Sequence, residues 1–309
     1  MTSPPRRFLP YGRQQIGEDD VAAVAQVLRG AHLTTGPKVA DFEQALGQAT
    51  GASHAVVCSS GTAALHLAAM ALDLGPSDKV VVPALTFLAT ANVVRLTGAE
   101  VVFSDVDSAT GLMGPEELSA ALAWDGSGKV KAVFPVHYAG QCAVPDELAA
   151  VSKDIPVVTD SCHALGTAYG ADGKVGDCRH AVMETFSFHP VKTIAAGEGG
   201  AVTTNDDDLA QRLRRLRNHG MTRNAEAFVR DDLARDGNGV SNSWYYEMTE
   251  LGLNYRLSDI HCALGLSQLA KLDAFCAARR TLAARYDEKL TPLAPMVTPL
   301  GRVPDCDPA

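Results

Sequence analysis

The chain has 309 residues, 27 basic and 36 acidic, and a formal charge of −9. An apolar fraction of 46% and a charged fraction of 20% are ordinary for a globular protein and exclude a mostly disordered chain. The acidic balance argues against a general nucleic-acid binder, which needs a basic footprint, and leaves room for a local basic pocket.

At about 150 residues per domain the length suggests two domains, and a chain this long can bury roughly three quarters of its unfolded surface. Cysteines stand at 58, 142, 162, 178, 262, 276 and 306. Their number is odd and none forms a Cys-x-x-Cys pair, which reads as reduced, cytosolic usage with no disulfide frame or metal site. The start, Met1 to Arg13, is polar and carries prolines, unlike a secretory signal. The most apolar stretch, Val80 to Val94, contains Pro83, Thr86, Thr90 and Asn92 and is too short to cross a bilayer.

Two periodicities alternate along the chain. Val21, Val24, Ala25 and Leu28 recur at helical spacing behind Asp19 and Asp20. The run His54–Cys58 reads as a strand ending in Ser59–Ser60–Gly61–Thr62, with a helix over Ala63–Leu74. Strand Lys79–Val82, helix Phe87–Thr97, strand Glu100–Phe103, helix Pro115–Ala123 and strand Val130–Pro135 follow. Helix Pro145–Ser152 and strand Pro156–Thr159 continue the pattern. Such alternation predicts an α/β fold with a mostly parallel sheet covered by helices on both faces. Beyond Asp160, Ala181–Phe188 and Gly200–Thr204 read as consecutive strands. A helix then opens on Asp206–Asp208 and closes on Arg212, Arg214, Arg215 and Arg217, as the helix dipole favours. Residues 221–250 read as a polar surface excursion, Ser258 to Leu290 as one long helical tract, and the proline-bearing segment after Pro292 as irregular.

Three features could carry chemistry. Lys192 follows the strand that leaves through Ser187, ahead of the turn Gly197–Gly200. A lysine desolvated at a strand end becomes a nucleophile able to form a Schiff base with an aldehyde, although most lysines are merely solvated. Asp160 closes a strand, where ligands bind in parallel sheets and where a carboxylate can pair with a pyridinium nitrogen. It could equally make an Asx-turn or cap a helix. Ser59–Ala63 is a strand-to-helix turn whose amides suit a phosphate, or simply a capped helix start. Taken together, an anion cradle, a strand-end acid and a later lysine suit pyridoxal phosphate.

The stretches FSFHPVK, GEGGAVTTND, RNHGM and GLNYRLSDIHCALGLSQL resemble the DegT-type sugar aminotransferases of pyridoxal-phosphate fold type I, from about Pro10 to about Pro292. DSCHALGT, VHYAG and the region of Tyr11 look closest to one branch, the UDP-4-amino-4,6-dideoxy-N-acetyl-β-L-altrosamine transaminases of the pseudaminic acid pathway. The resemblance implies that Lys192 captures the cofactor aldehyde and Asp160 pairs with its ring nitrogen. It implies phosphate contacts from Ser60, Gly61, Thr62, Ala63 and Ser187, and from Asn254 of a neighbouring subunit in a homodimer. Phe87 would stack on the ring, and His163, where most relatives carry Gln, would lie by the ring hydroxyl or its face. Tyr11, Ala31, His32, Leu33 and Thr34 would line the sugar-nucleotide site. The implied reaction is glutamate-dependent amination of a nucleotide-linked 4-keto-6-deoxy sugar in the cytoplasm, with no nucleic acid, membrane or metal.

The resemblance also implies a large cofactor domain over residues 1–255 and the start of a small C-terminal domain over 256–309, cut short at Ala309. Other readings remain for single residues. Phe87 could be core packing, Asn254 a turn residue, and His163 and His189 satisfied histidines. Trp244–Tyr246 could face substrate or a subunit contact. Another nucleotide-sugar aminotransferase of the family, or a non-catalytic cofactor-binding protein, would show much the same motifs. A related sugar dehydratase would carry His in place of Lys192. A nicotinamide enzyme would need a Gly-x-Gly-x-x-Gly after the first strand, which is absent.

Overall fold

The computed structural model describes residue 8, residues 10–143 and residues 145–309. In chain order the elements are α1 (Glu18–Leu28), α2 (Pro37–Thr50), β1 (His54–Cys58), α3 (Gly61–Ala71), β2 (Lys79–Pro83), α4 (Leu88–Leu96) and β3 (Glu100–Ser104). Next come α5 (Pro115–Asp125), β4 (Val130–Val133), α6 (Pro145–Ser152), β5 (Val158–Asp160), β6 (Ala168–Tyr169), β7 (Gly173–Lys174), β8 (Met183–Ser187) and β9 (Gly200–Thr204). The chain continues through α7 (Asp207–Leu216), β10 (Met221–Thr222), α8 (Asp231–Ala234), β11 (Glu247–Met248), α9 (Asp259–Leu269), α10 (Leu272–Leu290) and β12 (Cys306–Asp307).

A three-stranded sheet in the order β3-β2-β4 and a four-stranded sheet in the order β5-β8-β9-β1 lie edge to edge. The parallel bridges Val133–Val157 and Val136–Asp160 join them. Every pairing is parallel except the two made by β9, which runs against both β1 and β8. The expected mostly parallel sheet is therefore present, with one reversed strand set inside it.

Side-chain alternation splits the core between the faces. Val56 and Cys58 of β1, Val80 and Val82 of β2, and Val202 of β9 pack into one cluster with α3, α4 and α7. Ala55, Val57, Phe186 and Ala201 point the other way, into a cluster with α2 and α9. Val81, Val102 and Val133 meet α5. Helix α3 is rich in alanine and buried along most of its length, so its backbone approaches the sheet closely.

Three departures from the sequence reading stand out beside the short elements β6, β7, β10, α8 and β11, which it did not contain. Helix α2 was not anticipated, because Phe42 and Leu46 are its only fully buried large side chains among polar and small residues. The Gly36–Pro37 start, with proline in the first helical turn, is the signal that marks it. The tract from Ser258 to Leu290 is two helices, α9 and α10, interrupted at Ala270–Lys271. There the Lys271 ammonium meets Asp20 and Asp19, each at 2.7 Å. Near the C-terminus, Cys306–Asp307 forms a strand against Ala168–Tyr169. Among the described residues no helix is long and apolar enough to cross a membrane.

Candidate active site

The sheet register brings three of the predicted groups to one edge. Gly200, the first residue of β9, pairs with Cys58 at the end of β1 and with Ser187 at the end of β8. Asp160, the last residue of β5, pairs with Thr185, two residues before Ser187. The carboxyl ends of β1, β5 and β8 therefore lie level, and the chain leaves them through Ser60, Cys162 and His189 respectively.

Asp160 is buried and both of its oxygens are engaged. Oδ1 accepts the Cys162 N–H at 3.2 Å, which is the Asx-turn allowed by the sequence. Oδ2 accepts the Thr90 hydroxyl of α4 at 2.7 Å, a contact no turn requires. Beside it, burial and then the Asp160 charge push the Cys162 thiol well above its ordinary range, so this cysteine stays protonated.

Helix α3 begins with Ser60 as N-cap, its Oγ accepting the Ala63 N–H at 3.1 Å. The amides of Gly61 and Thr62 have no acceptor among the described residues, so two donors at the positive end of the helix remain for an anion. This turn is packed tightly on the rest of the site. A Cβ at Gly61 would sit 2.7 Å from Ser187 Cβ and 3.2 Å from Cys162 Sγ. One at Gly200 would sit 2.3 Å from the Ser60 carbonyl oxygen. Glycine at both positions lets the two backbones and Ser187 close around the free amides.

Lys192 stands one turn beyond β8, its N–H donating to the His189 carbonyl at 2.8 Å. With Tyr11, Tyr138, His163, Thr193 and Arg279 it helps line a cavity of about 300 Å³. Arg279, on α10, donates to the Lys192 carbonyl at 2.8 Å. Burial first, and then the Lys192 charge, lowers the His163 pKa, with Asp160 opposing, so the imidazole is neutral at physiological pH. Asp160 and Lys192 thus act with opposite sign on the same two residues, Cys162 and His163.

The remaining predicted residues fall in two places. Phe87 is the N-cap of α4, one turn before Thr90, and is 71% exposed, so it is not core packing. Asn254 and the Ala31–Thr34 stretch are exposed and lie on a separate segment. Asn254 bridges Asn218, Thr34 bridges Ser258, and the Leu33 carbonyl accepts the Asp259 N–H. Among the described residues none of these lines the Lys192 cavity. Trp244 and Tyr246 are exposed as well. Sequence reasoning passed over Thr90 and Arg279 as site residues. Thr90 carries a signal, one helical turn after Phe87, whereas Arg279 lies too far along the chain for any local pattern to announce it.

A family model described as the DegT/DnrJ/EryC1/StrS aminotransferase family matches residues 14–303. Among solved structures, the chain is similar to the Streptococcus pneumoniae protein Spr1654, assigned as a sugar aminotransferase, in its PLP form. That match has 28% identity and a TM-score of 0.83, over 97% of this chain and 76% of the other. Helicobacter pylori PseC, an aminotransferase involved in the biosynthesis of pseudoaminic acid, matches at 30% identity and a TM-score of 0.79, over 92% and 71%. DesV of S. venezuelae matches at 30% and 0.79, over 94% and 71%.

Proposed function

The chain belongs to the DegT/DnrJ/EryC1/StrS aminotransferase family, and on that premise we propose that it moves the amino group of L-glutamate to the keto carbon of a nucleotide-linked 4-keto-6-deoxy sugar. It has the α/β fold of the PLP-dependent aminotransferases, and pyridoxal 5′-phosphate is its cofactor. The residues present fit that group: two free amides at a helix start, a buried carboxylate at a strand end and a lysine share one sheet edge. This convergence is the observation that carries the reading.

On this reading the Gly61 and Thr62 amides, with Ser60, Ala63 and Ser187 around them, hold the phosphate. Asp160 would pair with the ring nitrogen and keep it protonated, Phe87 would lie against the ring, and the Lys192 amine would capture the aldehyde. When bound, the cofactor supplies an electron sink for the carbanion formed at the amino-bearing carbon. The Lys192 amine, free once the donor amine has replaced it, would take the proton from that carbon as base and return it as acid. Neutral His163 beside it donates or accepts a hydrogen bond without adding charge.

Asn254, exposed on its own protomer, reaches the phosphate of a second copy, which makes the active unit a homodimer. Tyr11 and Ala31–Thr34 form the sugar-nucleotide wall. His163 in DSCHALGT, together with VHYAG, favours the UDP-4-keto-6-deoxy-N-acetyl-L-altrosamine type of substrate. PseC and DesV match equally in identity, so the sugar is decided by assaying UDP- and dTDP-linked keto sugars.

The test of the site is chemical. Protein loaded with pyridoxal phosphate and reduced with borohydride should carry the label on the peptide containing Lys192, and Lys192→Ala should abolish it. Label on another lysine overturns the assignment. Labelling without glutamate-dependent turnover overturns the catalytic reading in favour of a cofactor-binding protein.

A further inference from the structure

We propose that Thr90 is a positioning residue for the cofactor, fixing the Asp160 carboxylate and the Phe87 turn as one unit; this rests on the reading of the site given above. Thr90 is fully buried on α4. Its hydroxyl spends its single hydrogen on Asp160 Oδ2, at 2.7 Å. The Thr86 hydroxyl lies 2.8 Å from the same Thr90 oxygen. Because Thr90 has no second hydrogen to give, Thr86 is the donor of that pair. The direction of the relay is therefore set: Thr86 to Thr90 to Asp160.

Two consequences follow from the geometry. The carboxylate is held by donors from two elements, Thr90 of α4 on Oδ2 and the Cys162 N–H following β5 on Oδ1, so its plane cannot turn. The same bond ties α4 to the end of β5. Phe87 caps that helix and its carbonyl accepts the Thr90 N–H at 3.2 Å, so the Phe87 backbone keeps a fixed relation to the carboxylate. A flat heteroaromatic ring beside them would meet a preset acceptor at its edge, next to the Phe87 turn. Valine at position 90 keeps the shape, removes the hydroxyl, and leaves Oδ2 buried with no donor.

The experiment compares wild type, Thr90→Val, Thr90→Ser and Thr86→Val. Apo-protein is titrated with pyridoxal phosphate by absorbance, and the ring-nitrogen resonance of 15N-labelled cofactor is recorded in each loaded protein. Thr90→Val should weaken cofactor binding by roughly ten- to a hundredfold, the loss of one hydrogen bond to a charged group. It should also move the 15N resonance toward the unprotonated ring. Thr90→Ser should restore both, and Thr86→Val should shift both in the same direction by less. A purely structural role would lower the melting temperature and leave the resonance where it is, which overturns the proposal. If Thr90→Val does not fold, Thr86→Val carries the same two readouts. Wild-type protein that fails to bind the cofactor would overturn the site assignment itself. Normal binding in wild type with unchanged variants overturns only the role of Thr90.

Discussion

Asp259 caps a helix whose N-cap residue, Gly36, lies 223 residues before it: its Oδ2 accepts the Gly36 N–H at 2.8 Å. Its Oδ1 takes the Lys38 N–H at 3.0 Å, so one buried carboxylate serves two of the orphan donors of α2 while itself opening α9. Asp259→Ala should lower unfolding free energy by about 2 kcal/mol, a lost cap plus unsatisfied amides. Asp259→Asn, which keeps one acceptor, should cost less. Urea unfolding followed by circular dichroism checks both; equal stability of Ala and wild type would refute the cap's contribution.

Beneath the site, Glu184 and His137 are both buried, their Oε2 and Nε2 atoms 4.0 Å apart. They do not form an ion pair at neutral pH, because burial holds the imidazole neutral, its pKa down at about 3. Burial likewise pushes the Glu184 carboxyl up to about 7, against the hydrogen bonds it accepts from Ser161 and the Cys178 and Gly176 amides. A raised carboxyl favours folding below its unfolded value of 4.5, and that contribution is lost as pH rises through 7. The depressed His137 works oppositely: its contribution is present above 6.5 and lost as pH falls toward 3. Glu184→Gln removes only the first. Wild type should therefore lose roughly 3 kcal/mol of stability relative to Glu184→Gln as pH rises from 4.5 to 7.5. A difference that stays constant across that range would contradict the assignment.

All seven cysteines are free, and they divide sharply. Burial raises Cys58, Cys162, Cys178, Cys262 and Cys276. In the remaining pair, the Cys142 thiol and N–H both donate to the Cys306 sulfur, which lowers Cys306 to about 7 and raises Cys142. Half-buried Cys306 should be the first thiol alkylated by iodoacetamide at pH 7, with the buried thiols following only on unfolding. Peptide mapping by mass spectrometry reads the order; preferential labelling of Cys162 would run against this account.

Much of the frame is written locally. Val80–Val82 and His54–Cys58 are short runs of apolar residues that only a sheet buried on both faces can absorb, and α7 declares its ends through Asp206 and its closing arginines. Asp160 and Lys192 could be singled out because strand ends are where such a sheet leaves functional groups. What stayed hidden is what depends on partners distant in sequence. Helix α2 has too few large apolar residues to announce itself and is held by Asp259. The break at Lys271 reflects acids near residue 20. Thr90 is an ordinary helix residue until the β5 end arrives beside it.

The reversed strand β9 has a consequence for how the molecule comes into being. β1 has β9 as its sole ladder partner among the described residues, so His54 waits for Thr204 before it is paired. A nascent chain shorter than that leaves its first strand open and the Ser60 turn unbraced, because Gly200 packs closely against the Ser60 carbonyl. Completion of the sheet is thus a late and non-local event in folding.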